Sequence, residues 1–389
     1  MITLGAMDVQ LVFRPALARL SRAAFHHNLK ILKDRLSRTT GLHKKNCEIM
    51  AVVKANAYGH QADRVAPELL KKGIRSFCVA SLEEGMALRR VAPKALILVL
   101  GGTSQFSGGT LDVIRQQKFH LGVNDISALK FFISHADIPL HLKIDTGMNR
   151  LGVKADEWGQ ALDLLLRSKR KLAGLYSHYA CFRGADFRKQ VYLFDELAKW
   201  YWNSGLQPQY LHTENSAAIF TDEKFSKNSF LAAHGNMARP GLSMYGYLPR
   251  NFHLKVRLKP VLELSSEVSW VKSVKKGEGI SYDFLYKAKK DHDIGVVPIG
   301  YADGIAKAYR EDLHPVLMDK RGRLKANLDI CGSVCMDTLM VKASGRSLNV
   351  GERVVFWGHR YCDFASKKRV DPYELNLRIA SRIPRVWVS

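Results

Sequence analysis

The stretch IMAVVKANAYGH, residues 49–60, places a lysine directly after a run of apolar residues. Such a run is typical of a strand that is buried on both faces in a parallel sheet. Small and polar residues follow at once, which indicates a turn. We therefore interpret this stretch as one buried strand and its turn, with Lys54 at the carboxyl end of the strand.

The same unit returns along the chain between Cys47 and Tyr247. Short apolar runs alternate with polar turns and helical patterns, which predicts parallel strands joined by helices. Eight such runs, the number that closes a barrel, lie at 49–54, 76–80, 95–100, 120–123, 140–144, 172–177, 210–212 and 237–244. A helix is expected before the first of them, running through Phe25, Leu29 and Leu32 and capped by Ser21.

After about Arg250 the pattern changes to β-branched and aromatic runs with close turns, which indicates a separate β domain. A chain of 389 residues also exceeds what one hydrophobic core usually serves. The expected fold class is α/β, an N-terminal (β/α)8 TIM-type barrel with a C-terminal mostly-β domain. We expect an N-terminal segment over 1–14, the barrel over 15–250 and the β domain over 251–389.

Composition excludes several classes of protein. The net charge of +24 is spread along the chain without a zinc-finger spacing or an aromatic-basic signature, so no specific nucleic-acid partner is expected. No apolar run reaches the roughly 20 residues of a membrane span, and the first residues do not resemble a signal peptide. We expect a cytoplasmic protein without a membrane partner. Six cysteines, Cys362 among them, are few and scattered, and Cys331 and Cys335 lack a matching ligand pair, so we expect reduced thiols and no metal.

The residue that first suggests chemistry is Lys54. Barrel enzymes carry their reactive groups at the carboxyl ends of the strands. A lysine that emerges from apolar residues is partly desolvated, which lowers its pKa and makes it a plausible Schiff-base nucleophile. Taken alone, the same pattern also describes a lysine that extends from a strand end to reach water.

Residues 51–60 match the cofactor-lysine signature of alanine racemases, with Gln61 where a glycine often follows. Further motifs of that family appear in the same order along nearly the whole chain, at 143–152, 176–179, 215–217, 239–241, 281–282, 300–304 and 336–337. The chain thus resembles the alanine racemase family, enzymes of fold type III that use pyridoxal 5′-phosphate. The resemblance implies an isomerase that interconverts L-alanine and D-alanine and supplies D-alanine for peptidoglycan.

The resemblance implies a cofactor site built around Lys54, which would hold the cofactor as a Schiff base. A phosphate dianion needs hydroxyls and free backbone N–H groups. Ser216 with its neighbour Asn215, the backbone at Gly241 and Leu242, and the phenol of Tyr58 resemble that group. From the residues alone, each also remains open as a turn residue or a core hydroxyl.

Arg239 resembles the family arginine that faces the pyridine nitrogen of the cofactor. A guanidinium donates hydrogen bonds and accepts none, so it leaves that nitrogen largely unprotonated and restrains side reactions such as transamination. His178 resembles the residue that orients this arginine. Without the resemblance, His178 is also consistent with a core histidine.

Racemisation removes the α-proton from one face of the substrate and returns a proton to the other, so two bases are the simplest solution. By resemblance, Lys54 serves one face and Tyr282 serves the other. In the family this tyrosine reaches the site from the neighbouring subunit, which implies a homodimer with shared active sites. The residues alone leave Tyr282 open as an ordinary strand tyrosine.

The resemblance assigns Arg150, helped by the backbone N–H of Met336, to the substrate carboxylate and to the positioning of Tyr282. The lysine that matches Lys143 is carbamylated in some members, and the carbamate holds this arginine. A lysine that is unmodified, with a bound anion nearby, is the alternative for this chain.

Three further positions are implied near the substrate. Tyr301 matches a tyrosine near the cofactor and the entrance, and Asp337 matches a residue near the substrate end. Ser381 stands where some members place a tyrosine against the cofactor, which puts that contact and the side-chain selectivity in doubt.

Other functions remain as alternatives. A serine or broad-specificity racemase of the same fold is the nearest, while a basic amino-acid decarboxylase would need a glycine-rich phosphate loop and a late cysteine-aspartate pair. A non-enzymatic cofactor-binding protein is usually a barrel alone. This chain has more than a barrel, so we expect a racemase that acts on alanine as its small-molecule substrate.

Overall fold

The computed structural model describes residues 13–101, 108–249, 252, 257–319, 321–358 and 370–388. The predicted segment 1–14, apart from Phe13 and Arg14, lies outside the described residues, as does Cys362. The chain forms two compact units, one of residues 27–244 and 248–257 and the other of residues 1–26, 245–247 and 258–389. Within the described parts of both units, no helix is long and apolar enough to cross a membrane.

Eight strands, all in parallel pairs, form the sheet of the first unit. In chain order the first to eighth barrel strands are Glu48–Val52, Ser76–Val79, Leu96–Val99, His120–Val123, Leu140–Lys143, Gly174–Tyr176, Tyr210–His212 and Met237–Ala238. The eighth strand pairs with the first, and the Asn236 N–H donates to the Leu211 carbonyl at 3.1 Å, so both ends of the sheet meet. The expected barrel is confirmed.

Helices connect the strands, as the alternating pattern predicts. They are Arg22–Leu36 before the first strand and then Ala62–Lys71, Leu82–Val91, Gly108–Gln116, Ile126–Ile133, Trp158–Arg167, Gly184–Asn203, Ser216–Ile219 and Phe230–His234. The Ser21 hydroxyl accepts the Ala24 N–H at 3.1 Å, which confirms the predicted cap of the first helix. Apolar spacing buries one side of each helix, for example Ala161, Leu162 and Leu165.

Six of the eight barrel strands are shorter than their sequence patterns, and the first and the eighth show a local cause. The first ends at Val52 because the backbone turns left-handed from Ala55 onward. The eighth ends at Ala238, because Pro240 has no N–H to donate and a 3-10 turn, Leu242–Tyr245, follows at once.

The second unit contains a nine-stranded sheet in which all pairs are antiparallel except one. Its order is Trp270–Val274, His292–Val297, Leu339–Ala343, Leu324–Cys331, Val316–Met318, Arg353–Trp357, Leu262–Glu267, Leu17–Ser21 and Arg385–Val388. The unit also contains a hairpin, three 3-10 turns and a helix. The hairpin joins Gly279–Ile280 to Tyr286–Lys287, the turns are Tyr282–Phe284, Tyr301–Asp303 and Lys307–Tyr309, and the helix is Pro372–Arg378. The mostly-β C-terminal domain is confirmed.

The strand Leu17–Ser21 belongs to this second sheet. It pairs antiparallel with Leu262–Glu267 and parallel with Arg385–Val388. The strand falls inside the range 15–250 that the sequence assigns to the barrel, because local patterning shows that a strand forms but not which distant strand it joins. The domain limits 15–250 and 251–389 stay a prediction.

Candidate active site

A cavity of about 340 Å³ lies at the carboxyl ends of the barrel strands. Ten of the residues expected at the active site line it: Lys54, Tyr58, Lys143, Arg150, His178, Asn215, Ser216, Arg239, Gly241 and Leu242. They come from the ends of the first, fifth, sixth, seventh and eighth barrel strands. Barrel closure therefore brings together residues that are far apart in sequence.

Lys54 starts a turn whose backbone is left-handed. Ala55, Asn56 and Ala57 have φ of 50°, 52° and 55°, and Tyr58 follows at 52°. In residues with a Cβ, this conformation costs roughly 1–2 kcal/mol each, so other contacts must stabilise the turn. The Ala57 N–H donates to the Val53 carbonyl at 2.8 Å and the Gly59 N–H to the Ala55 carbonyl at 3.1 Å.

The environment of Lys54 favours its neutral amine. Burial lowers the pKa of Lys54, and the nearby Arg150 guanidinium lowers it further, while the Glu84 carboxylate acts in the opposite direction. A neutral amine is the form that acts as a nucleophile or as a base. The environment therefore suits the role expected of Lys54.

Arg239 is buried and firmly held on the eighth-strand side of the cavity. Its Nη1 donates to His212 Nδ1 and to the His212 carbonyl, each at 2.5 Å, and its Nη2 donates to the Ser177 carbonyl at 2.5 Å. The guanidinium also lies 5.2 Å from the centre of the Tyr176 ring. The residue that orients Arg239 is thus His212, whereas the resemblance had implied His178.

Three histidines continue this hydrogen-bond chain through the barrel. His212 Nε2 lies 2.8 Å from His141 Nδ1, and His141 Nε2 lies 3.0 Å from His120 Nδ1. Because Arg239 can only donate, His212 Nδ1 must accept, which places the proton of each neutral ring on Nε2. Burial is the main reason that the pKa of His120 falls to about 4 and that those of His141 and His212 are lowered, so the chain is neutral near pH 7.

His178 lines the cavity, whereas the histidine that holds Arg239 is His212. Its Nε2 lies 3.4 Å from Asn215 Nδ2. Burial lowers the pKa of His178 well below its usual value, and the charges of Arg239, Arg150, Lys143 and Lys54 lower it further. His178 is therefore a neutral, polar wall of a strongly cationic cavity.

A cluster of hydroxyls and backbone N–H groups lies where the phosphate of the cofactor is expected. Ser216 Oγ accepts from the N–H groups of Gly241 at 3.0 Å and Ser243 at 3.1 Å, and it lies 3.0 Å from Ser243 Oγ. A Cβ on Gly241 would lie 2.7 Å from the Tyr58 hydroxyl, so a glycine here lets the Tyr58 hydroxyl lie close to the backbone. The Asn215 side chain accepts from Ala217 N and Ala218 N at 3.0 Å and so caps the helix that Ser216 begins.

Lys143 and Arg150 bracket a tight loop after the fifth barrel strand. Asp145 Oδ1 accepts the N–H groups of Gly147 and Met148 at 2.9 Å and of Asn149 at 3.1 Å, which fixes the loop that carries Arg150. Burial, followed by the charges of Arg150 and Arg239, lowers the pKa of Lys143 to about 8. A substantial neutral fraction of Lys143 therefore exists at mildly alkaline pH.

The other expected residues, Tyr282, Tyr301, Met336 and Asp337, belong to the second unit. Three loops meet there, because the Tyr301 N–H donates to the Cys335 carbonyl at 3.0 Å and Ser281 Oγ to the Ser333 carbonyl at 3.0 Å. Ser281 has φ of 64°, a left-handed value that forces the chain to turn sharply at Tyr282. Tyr282 is 66% exposed and Met336 52% exposed.

A buried carboxylate secures this group of loops. Asp303 accepts from Arg14 Nη1 at 2.8 Å, from Arg382 Nε at 2.7 Å and from the Gly300 N–H at 2.8 Å. Burial alone raises the pKa of Asp303, but the two arginines and the N–H outweigh it and lower the pKa. Arg382 Nη2 also donates to Asp337 Oδ1 at 2.7 Å, next to the expected departure at Ser381.

Sequence reasoning missed three residues that contact the cavity residues or their neighbours from outside the cavity. His212 holds Arg239, Ser243 adds a buried hydroxyl beside Ser216, and Glu84 accepts the Ala55 N–H at 2.7 Å. The alternation of side chains along the seventh barrel strand is a signal for His212, since its position faces the barrel interior. No local sequence pattern indicates Glu84, because its carboxylate contacts residues after two different strands.

Two family models match the chain, the N-terminal domain of alanine racemase over residues 20–249 and its C-terminal domain over residues 261–387. An alanine racemase from Citrifermentans bemidjiense is 32% identical over 407 aligned positions, covering 97% of this chain and 99% of that protein. The alanine racemase structure from Clostridium difficile 630 superposes with a TM-score of 0.82 at 27% identity, covering 97% of this chain and 96% of that one. The alanine racemase structure from Bartonella henselae, with covalently bound pyridoxal phosphate, shares the fold with a TM-score of 0.78 at 23% identity, covering 96% of this chain and 99% of that one.

Proposed function

The chain belongs to the alanine racemase family and interconverts L-alanine and D-alanine, and we propose that Lys54 and Tyr282 are its two catalytic bases. The observation that carries this proposal is the placement of Lys54. It enters a cavity that is lined by three further cationic groups, and its amine has a lowered pKa. The site thus combines a nucleophilic lysine with a strong attraction for anions.

The residues of the cavity fit pyridoxal 5′-phosphate, the cofactor of the family. The Ser216 hydroxyl, the Tyr58 phenol and the backbone at Gly241 and Leu242 line the place proposed for the phosphate. The Gly241 N–H already donates to Ser216 Oγ, so the two hydroxyls are the donors that would turn to a phosphate. The volume of about 340 Å³ is within the usual range of cofactor sites. When bound, the cofactor supplies an electron-withdrawing ring that acidifies the α-carbon of an attached amino acid.

Arg239 would tune the electronic properties of that ring. Its guanidinium stays charged at physiological pH and can donate but not accept hydrogen bonds, so a ring nitrogen held beside it would stay without a proton. The His212 ring and the Ser177 carbonyl hold Arg239 in place. The ring would then be a weaker electron sink, which would limit transamination.

Lys54 and Tyr282 then move the α-proton between the two faces of the substrate. The Lys54 Nζ removes or returns the proton on one face, and the Tyr282 hydroxyl does so on the other. Because the enzyme must act in both directions, each group serves once as base and once as acid. The first transfer adds one proton to the pair and the second removes one, so a complete racemisation leaves the total number of protons on the pair unchanged.

We propose that Tyr282 acts in the active site of a partner subunit within a homodimer. Tyr282, Phe284 and Leu285 are 66%, 63% and 53% exposed in the single chain, and Met336 is 52% exposed. A surface with this many exposed apolar side chains is typical of a protein–protein interface. A second copy of the chain would cover these side chains and complete the site.

The substrate carboxylate is bound by Arg150, with the backbone N–H of Met336 as a second donor. A bidentate guanidinium suits a carboxylate. For Tyr301 and Asp337 we propose the roles that the resemblance implies near the substrate. Ser381 replaces the tyrosine that some family members have at this position. We expect this difference to affect substrate selectivity.

Lys143 is the residue that we propose to be carbamylated. The ammonium first loses one proton to solvent. The neutral amine then attacks CO2, a C–N bond forms as one C–O π bond opens, and a second proton leaves to solvent, so the cation has become an anion. The pKa of about 8 provides the neutral amine, and Arg150 lies close enough to lower that pKa, so the product anion has a nearby cation. An unmodified lysine with a bound anion would meet the same electrostatic need.

The physiological role that we propose is supply of D-alanine for peptidoglycan in the cytoplasm. Incubation of the purified protein with L-alanine should yield D-alanine until the two enantiomers are equal, and D-alanine should yield L-alanine. L-serine in parallel reports whether the specificity is broad. Failure to form D-alanine by a protein that has bound the cofactor would refute the proposal.

A further inference from the structure

Glu84 bridges the ends of the first two barrel strands. Its Oε1 accepts the Ala55 N–H and its Oε2 accepts the Ala80 N–H, each at 2.7 Å. Ala55 directly follows Lys54, and Ala80 directly follows the second barrel strand. One carboxylate thus ties the turn after Lys54 to the neighbouring strand.

The helix that carries Glu84 fixes the position of this carboxylate. Glu84 lies in the first turn of Leu82–Val91, and the Ser81 hydroxyl accepts the Glu84 N–H at 3.4 Å. Its side chain is half-buried, whereas the neighbouring Glu83 is exposed. The position of Glu84 therefore depends on the second strand-helix unit and not on the turn that it holds.

The turn after Lys54 requires an external support. The hydrogen bonds described above, and the one from the Ala62 N–H to Asn56 Oδ1 at 2.8 Å, join residues 53–62 to one another. Such bonds define the shape of the turn, while contacts with the second barrel strand set its orientation: the Val53 N–H donates to the Cys78 carbonyl at 2.9 Å before Lys54, and the Glu84 carboxylate binds after it. Four consecutive residues with a Cβ, 55–58, have φ near +50°, a conformation that they rarely adopt without help.

We propose that Glu84 is a positioning residue for Lys54: its carboxylate holds the left-handed turn against the second barrel strand and so directs the Lys54 amine into the cavity. The proposal rests on the proposed role of Lys54. The negative charge of Glu84 also acts directly on this amine, because it opposes the lowering of the Lys54 pKa by burial and by Arg150.

The variant Glu84→Gln keeps the size of the side chain but removes its charge. One amide oxygen can still accept, while the amide NH2 faces a second N–H donor, so at least one of the two bonds is lost. In the holoenzyme, we expect the amides of residues 54–62 to exchange with deuterium about 10-fold faster than in the unsubstituted protein, and kcat to fall by about 10-fold in both directions with little change in KM. The pH dependence of kcat should shift as well, because the Lys54 pKa loses a group that raises it.

Glu83→Gln is the matched control. It makes the same change of charge in the same helical turn, at an exposed residue whose carboxylate interacts with the Ser81 side chain. Exchange at residues 54–62, kcat and its pH profile should remain unchanged in this variant. Equal effects of Glu83→Gln and Glu84→Gln would reduce the role of Glu84 to general electrostatics and overturn the proposal.

A second substitution tests the positioning itself. Glycine adopts positive φ without the Cβ penalty, so adding Ala55→Gly should relax the turn. The double variant should have a kcat at least about 3-fold higher than that of Glu84→Gln alone. The double variant also keeps the test open if Glu84→Gln alone folds poorly. Normal exchange and normal kcat in Glu84→Gln would overturn the proposal, as would faster exchange with normal kcat.

A separate experiment tests the proposed function, and its result does not depend on Glu84. Borohydride reduction of the unsubstituted holoenzyme should attach the cofactor to Lys54, whatever Glu84 does. Attachment to another lysine would refute the role of Lys54. Attachment to Lys54 together with a Glu84→Gln variant that behaves normally would refute only the positioning role.

Discussion

The sharpest test of the two-base mechanism is Tyr282→Phe, which removes one hydroxyl and keeps the ring. The side chain is 66% exposed in the single chain, so the free energy of unfolding of the single chain should change by less than about 0.5 kcal/mol. Loss of one general acid–base group should slow racemisation by about 10²-fold or more, equivalent to about 2.7 kcal/mol in the activation barrier. Stability and rate are therefore predicted to separate.

The assay that assigns the faces is exchange of the α-proton in deuterated water. Tyr282→Phe should still exchange the α-proton of one alanine enantiomer, the one whose proton faces Lys54, much faster than that of the other. Tyr192→Phe is a matched control, because Tyr192 is 64% exposed on the helix Gly184–Asn203 and undergoes the same chemical change outside the cavity. Equal exchange of both enantiomers by Tyr282→Phe would refute the second-base role.

Mixing two inactive variants tests whether the site is shared. If Tyr282 acts in the partner subunit, Lys54→Ala and Tyr282→Phe chains should together form heterodimers with up to one working site each. Activity should then appear on mixing and should rise with the fraction of heterodimers. Heterodimers that form without any recovery of activity would contradict the shared site.

Three further outcomes follow from the charges of the first unit. Borohydride should fix the cofactor on Lys54, identified by mass spectrometry of the peptide. A ¹³C-carbamate signal should appear on Lys143 in protein equilibrated with ¹³CO2 and should grow from about pH 7 to about pH 9, as its neutral fraction rises. A dependence on chloride without such a signal would instead favour a bound anion. Burial lowers the pKa of His43, but the Glu214 carboxylate at 2.5 Å raises that pKa more strongly. The His43–Glu214 pair therefore stabilises the fold fully below the unfolded pKa of about 6.5. This stabilisation is lost as the pH rises through the folded pKa of His43. The stability difference between the unsubstituted protein and Glu214→Gln should therefore shrink with rising pH, and a difference that grows would contradict the pairing.

The sequence alone was sufficient for the architecture and for most of the cavity. Alternation of apolar runs with helical spacing predicts a parallel barrel, since each unit depends on residues near one another in the chain. The motif around Lys54 and its ordered companions predicts ten residues that the structure brings to one cavity. These features are readable because their signals are local, either a periodicity or a short motif.

Only the tertiary structure decided which distant groups meet. Leu17–Ser21 joins strands more than 240 positions away, and its own apolar pattern contains no information about that partner. His212 holds Arg239, and Glu84 holds the turn after Lys54, because barrel closure sets which side chains converge. The left-handed turn itself runs against the local preference of its residues. Distant contacts outweigh that preference, and their energies depend on packing that no local stretch of sequence encodes.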